Sequence, residues 1–176
     1  MPRNNAISMT RSADPATVAH VDLNRYLGLW YEIARLPMWA EDDGARDITA
    51  EYALKDDGRI RVVNRCIAED GQIEEAEGEA HVVEGSGNAK LEVTFLPKAL
   101  RWLPFTKGDY WILKLDADYN VALVGTPDRK YLWLLARNAQ LDGGTRLEYL
   151  DHAHLLGYDL DKLIMPDQSG RVARGG

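Results

Sequence analysis

The 176 residues carry 28 acidic against 21 basic side chains, a formal net charge of -7, and 45% hydrophobic residues. This is the size and apolar content of one globular domain, and the acidic balance excludes a general nucleic-acid binder. The single cysteine, Cys66, excludes an internal disulfide framework, and the four histidines show no metal-ligand spacing, so neither a metal site nor a cofactor is expected.

Residues 1–20 are polar, with no apolar run of the kind a secretion signal needs and no cysteine to lipidate. They are expected to form a flexible leader, and the glycine-rich residues 167–176 a flexible tail, on either side of a domain over 21–166. Two settings remain open: a cytoplasmic chain, or one whose leader has been removed. No stretch approaches the ~20 apolar residues of a membrane span.

From Gly28 the chain reads as short apolar runs separated by turns. Gly28–Leu36 is a strand that Pro37 ends. The acidic loop Met38–Arg46 leads to Ile48–Leu54, the Asp57-Gly58 hairpin signal and the return strand Arg59–Ala68. Gln72–Glu84 follows, with Gly78 expected as a bulge or bend. Then come Ala89–Leu96, a proline-bounded loop Pro97–Lys107, Asp109–Leu115, Asn120–Gly125 and Lys130–Arg137. Eight strands at this spacing predict an all-β fold, an eight-stranded antiparallel up-and-down barrel wide enough for one small ligand.

One helix is expected, over residues 145–156, with Thr145 as N-cap and Glu148 completing a capping box. Tyr149, Leu150, Ala153 and Leu156 make an apolar stripe, so the helix packs outside the barrel, and Gly157 stops it. Asp159–Met165 is expected to add a turn and a final edge strand.

Three blocks, in order, resemble the lipocalin family: Gly28-x-Trp30, Asp116-x-Asp118-Tyr119, and Asp128 to Arg137. The stretch from Gly28 to Arg35 is similar to the branch holding bacterial outer-membrane lipoprotein lipocalins, plant temperature-induced lipocalins and apolipoprotein D. The resemblance spans Val21 to Met165. It implies a non-enzymatic carrier or store of a small hydrophobic ligand, a fatty acid, lysophospholipid or similar lipid. It also implies a periplasmic or outer-membrane setting where a leader is removed. The residues themselves suit a barrel plugged at one end. Trp30 is large enough to seal it, Gly28 lets the backbone pass close, and Arg137 can lay its guanidinium over the indole.

The period of two assigns the inner face. Ala50 and Tyr52, Val62 and Asn64, and Leu91, Val93 and Phe95 point inward, followed by Tyr110, Ile112, Val124 and Trp133. This is a mostly apolar lining for an elongated ligand with one polar end. Asn64 either pairs with Tyr52 or a water, or meets a head group.

Two alternatives accompany the carrier. A lipid-modifying enzyme would use Cys66 as nucleophile, as the prostaglandin D synthase branch of the family does, and would need a base or cation to activate it. A haem or tetrapyrrole binder would look to His81, which is out of phase with the inner face. The acidic run from Glu69 to Glu84 reads as a solvated outer face. Trp102, Leu103 and Phe105 interleave with Arg101 and Lys107 in the loop over 97–107, and Trp39 sits in the first loop. Two readings of these loops stand side by side: weak contact with an anionic membrane surface, or aromatic caps over the mouth. Oligomeric state, monomer or dimer, is left open.

Overall fold

A computed structural model describes residues 13–38, 41–95 and 107–175. The short helix α1 (Leu23–Tyr26), capped by the Asp22 carboxylate on Asn24 N–H, leads into β1 (Gly28–Arg35). Then follow β2 (Arg46–Leu54), β3 (Ile60–Ile67), β4 (Ile73–Val82), β5 (Lys90–Phe95), β6 (Lys107–Leu115), β7 (Val121–Gly125) and β8 (Leu132–Ala136). Each strand pairs antiparallel with the next, and β8 returns to β1, so the eight strands close into a barrel.

The barrel has two apolar layers. The inner one lines its interior, with Trp30, Ile112 and Val124 fully buried. The outer one lies beneath α2 (Gly143–Leu155), where Tyr149 and Ala153 pack with Leu113, Leu123 and Leu134. All five residues of β7 are therefore buried, one face by the interior and the other by this layer. Gly125 has to be glycine, because a Cβ there would lie 2.4 Å from the Tyr158 hydroxyl, which donates to Thr126 O.

At the base, Arg137 stacks 3.8 Å over the Trp30 ring. Its guanidinium also donates to the carbonyls of Arg25, Tyr26, Leu27, Leu29 and Tyr119. Three of these belong to the end of α1, whose last carbonyls have no partner within the helix. Gly28 adopts φ +99, and a Cβ there would lie 3.4 Å from the guanidinium. Gly28, Trp30 and Arg137 therefore meet in one place at the base of the barrel.

Several expectations are corrected. The helix starts at Gly143, and its N-cap is Asp142, whose carboxylate accepts from Thr145 N–H. Thr145 is thus the third helical residue, and Glu148 pairs with Lys114 at 3.0 Å instead of reaching back. Asp142 offers the first turn a charged carboxylate acceptor, which also suits the positive end of the helix. Gly78 makes no bulge: β4 runs straight through it in both ladders, and the missing side chain admits the Phe95 ring, 2.8 Å from where a Cβ would be. The final edge strand is a single bridge, Arg35 to Ile164.

The segments expected to be flexible are engaged where described. Val18 N–H donates to Ile112 O, and Ala13 O accepts from the Arg129 guanidinium. At the other terminus, the β1–β2 ladder ends at Tyr31 and Thr49. Beyond that point the Gln168 amide donates to both Glu32 O and Ile48 O at 2.8 Å, bridging strands that no longer bond to each other. Ser169 binds the Asp47 carboxylate through N–H and hydroxyl.

Part of the acidic run is paired: Glu77 meets Arg61 and Glu75 meets Arg65 on β3, and Glu79 meets Lys55 and Arg59 in the turn that precedes it.

Trp30→Ala removes the largest side chain of the base and is expected to cost ~3–5 kcal/mol, with a smaller loss for Arg137→Ala, read as urea midpoints. Unchanged midpoints in both variants would contradict the plug.

Candidate binding site

Ten of the eleven lining residues expected from sequence join one inner cluster: Ala50, Tyr52, Val62, Leu91, Val93, Phe95, Tyr110, Ile112, Val124 and Trp133. The eleventh, Asn64, sits in register between Ala50 and Ala76 and shares their face. Its side chain is half-buried and has no hydrogen-bond partner among the described residues. Of the alternatives open for Asn64, the pair with Tyr52 is not formed; the Tyr52 hydroxyl accepts from Tyr110 instead.

That engagement is a row of three phenols near the base. Tyr110 donates to the Tyr52 hydroxyl at 3.0 Å, and the Tyr110 and Tyr26 hydroxyls are 2.6 Å apart. Burial pushes all three phenols up from their usual range, so all are uncharged in any physiological medium. With Leu27, Ile60, Ala80, Leu91 and Val93 they wall a void of about 10 Å³, the room of one water.

Towards the mouth the inner face becomes polar. The β1–β8 register shifts between Glu32 and Ala34. The shift turns Arg35 inward, opposite Trp133, while Glu32 faces inward opposite Leu135. Arg35 is fully buried. It donates to Glu32 Oε1 at 3.2 Å and to Asp42 O at 2.8 Å. Its Nε lies 2.8 Å from Glu41 Oε2, close enough for strong charge attraction but not aligned as a hydrogen bond. One guanidinium thus ties the first loop to β1 and faces three carboxylates, those of Glu32, Glu41 and, at 3.9 Å, the exposed Asp43. Burial, then the charge of Glu41, push the Glu32 carboxyl well up, against the pull of Arg35. Burial also raises Glu41, again against Arg35.

Sequence reasoning missed Glu32 and Arg35, since an uninterrupted period of two gives no warning of a bulge. It also missed Tyr26, which reaches the interior from α1. The aromatic next to the GxW block was the available signal.

Cys66 lies beyond Asn64 on the same face, 4.0 Å from a Glu74 carboxylate oxygen. Burial first, then Glu74, Glu41, Glu32 and Asp42, push its thiol up to about 11. This is the reverse of what a nucleophilic thiolate needs. His81 faces outward and meets Glu92 on the neighbouring strand at 3.4 Å. Among the described residues no group of three or more His, Cys, Asp or Glu side chains is placed to hold a metal. No helix among them is long and apolar enough to cross a membrane. Trp39 and the aromatic and basic residues over 97–106 lie outside the described residues.

A family model, the lipocalin-like domain, matches residues 21–168. The chain belongs to the lipocalin family. Among curated relatives, temperature-induced lipocalin-1 of Arabidopsis thaliana is 39% identical, over 92% of this chain and 87% of its own. Outer membrane lipoprotein Blc of Vibrio cholerae is 38% identical, over 94% and 92%. Apolipoprotein D of Cavia porcellus is 32% identical, over 93% and 86%. Insecticyanin from the tobacco hornworm shares the fold, with a TM-score of 0.69 over 92% of this chain and 88% of that one, at 22% identity. Lipocalins typically bind small hydrophobic molecules, and the barrel of this lipocalin presents an apolar interior beneath a polar mouth.

The mouth cluster predicts a pH dependence. A carboxyl whose pKa is raised by folding takes up protons on folding. Glu32 therefore lowers stability as pH rises from about 4.3 to its raised folded value. The paired surface carboxylates Glu77 and Glu79, held low by their basic partners, act in the opposite sense. Urea unfolding across pH 4–8 is expected to show stability gaining more from rising pH in Glu32→Gln than in the parent. Parallel profiles would contradict the assignment.

Proposed function

We propose that this lipocalin carries or stores a fatty acid, lysophospholipid or similar lipid in its barrel, without catalysing a reaction on it. The observation that carries the reading is the inner wall itself. Leu91, Val93, Ile112, Val124 and Trp133 form one apolar surface, and the polar groups on that face are few and gathered at its two ends. A site of this kind suits an elongated apolar molecule with a polar end. On the β3–β4 side Asn64 and Cys66 remain half-buried and Ala76 is exposed although all three are in inward register, which supports entry from the mouth.

The raised thiol of Cys66 supports a carrier over an enzyme acting through that residue. The names of the relatives, an apolipoprotein and an outer membrane lipoprotein, support lipid as the ligand class and the cell envelope as the setting.

A fluorescent fatty-acid probe is expected to bind with micromolar or better affinity and to be displaced by a long-chain acid. Val93→Glu or Ile112→Glu places an unpaired charge on the apolar wall and is expected to weaken binding at least ten-fold, while Cys66→Ala keeps it. A folded charge variant that binds like the parent would remove that position from the site. Turnover of a lipid that is lost in Cys66→Ala would overturn the carrier.

A further inference from the structure

We propose that residues 164–169 form a removable wedge between β1 and β2, and that its release, governed by Gln168 and Ser169, sets the rate at which the ligand enters and leaves the barrel. The proposal rests on the carrier reading and adds the way in which the mouth opens.

The two strands part near the mouth. Their ladder ends at the Tyr31–Thr49 pair. Just beyond it both leave their course. β1 shifts register against β8 between Glu32 and Ala34, and β2 shifts against β3 between Arg46 and Thr49, where Asp47 adopts φ +50. The chain that follows α2 fills the opening. Ile164 exchanges two backbone hydrogen bonds with Arg35 on β1, at 2.8 and 2.9 Å. Asp167 O accepts from Asp47 N–H on β2 at 2.8 Å. The Gln168 amide donates to both strands, and Ser169 closes on the Asp47 carboxylate. Backbone groups that the ladder would otherwise leave unpaired are thus satisfied by the wedge.

The grip is polar. Met165 is 51% exposed, and Asp167, Ser169 and Gly170 are exposed. The buried anchors of this part of the chain, Tyr158 and Ala173, lie before and after the wedge and not within it. A segment held by exposed hydrogen bonds with few buried apolar contacts opens at a lower free energy than the core around it. Its middle can lift while both ends stay attached.

What the wedge restrains is the rim. The end of β1 carries Arg35, whose guanidinium donates to Asp42 O and faces Glu41, so the first loop moves with the strand. Glu32, whose carbonyl Gln168 holds, faces the interior. With the wedge seated the two strand ends are pinned at one separation. With it lifted they splay, and the interior opens between them. Neither Gln168 nor Ser169 belongs to the inner cluster, so they act on passage and not on the bound ligand.

The test is stopped-flow binding of dansyl-undecanoic acid to the parent and to three variants. Gln168→Met keeps the side-chain length and loses both donors, and Ser169→Ala loses the hydroxyl on Asp47. Tyr149→Phe removes a buried hydrogen bond to Val121 O, beneath α2 and away from the wedge. Each wedge variant is expected to speed dissociation roughly three- to ten-fold, the worth of one hydrogen bond. Association should quicken in the same proportion, leaving Kd unchanged, because the wedge is seated in both the free and the loaded barrel. Tyr149→Phe should keep the parent's rates. Unchanged rates in both wedge variants, faster dissociation without faster association, or the same change in Tyr149→Phe would overturn the proposal and leave the carrier reading standing. A probe that fails to bind the parent would remove the carrier reading and this proposal together.

Discussion

The Arg137 guanidinium lies flat on the Trp30 indole, 3.8 Å away, and its N–H groups reach carbonyl oxygens on both sides of it. A cation over an aromatic face contributes ~0.5–2 kcal/mol, which alone would not hold a barrel closed. The larger consequence is positional. Arg137 satisfies the carbonyl end of α1, and Trp30 Nε1 donates to Tyr26 O, so the helix is held across the base at a fixed height. That height puts the Tyr26 hydroxyl against Tyr110 and begins the row that ends at Tyr52. The same contact that closes the barrel builds its deepest polar feature.

Closure at one end also explains the differences between strands. β7 and β8 are covered inside by the cavity wall and outside by α2, and read as unbroken apolar runs, Val121 to Val124 and Leu132 to Ala136. β3 and β4 have water on their outer face, and there Arg61 and Arg65 alternate with apolar or inward residues and meet Glu77 and Glu75 across the ladder. Exposed pairs of this kind contribute little each, but they fix which residue faces which, and a slip of one would exchange the two faces.

Much of this was legible in the sequence because it depends on local pattern. Alternation along Leu91, Val93 and Phe95 is a physical consequence of the pleat, and the inward assignment followed from it. Gly28, Trp30 and Arg137 were legible because few residue types do what the base requires. What was not legible is long-range or irregular. The bulge after Glu32 moves Arg35 from one face to the other without altering the apolar rhythm, so the buried charge at the mouth was missed. The Gln168 amide that bridges Glu32 and Ile48 sits in a stretch whose composition reads as a tail; only the fold shows that β1 and β2 part company there. Asp142 was not legible as the cap because the two residues that follow it, Gly143 and Gly144, are poor helix formers.

The barrel is a vessel with opposed ends, a sealed aromatic base and a charged mouth, and the proposed apolar ligand lies between them. A crystal structure of the complex with a long-chain acid carrying a terminal bromine tests that placement most directly, because the anomalous signal of the halogen locates the chain. The bromine is expected inside the barrel, among side chains of the inner cluster such as Val93, Ile112 and Trp133. A bromine found only on the outer surface, against α2 or the strand exteriors, would contradict the account.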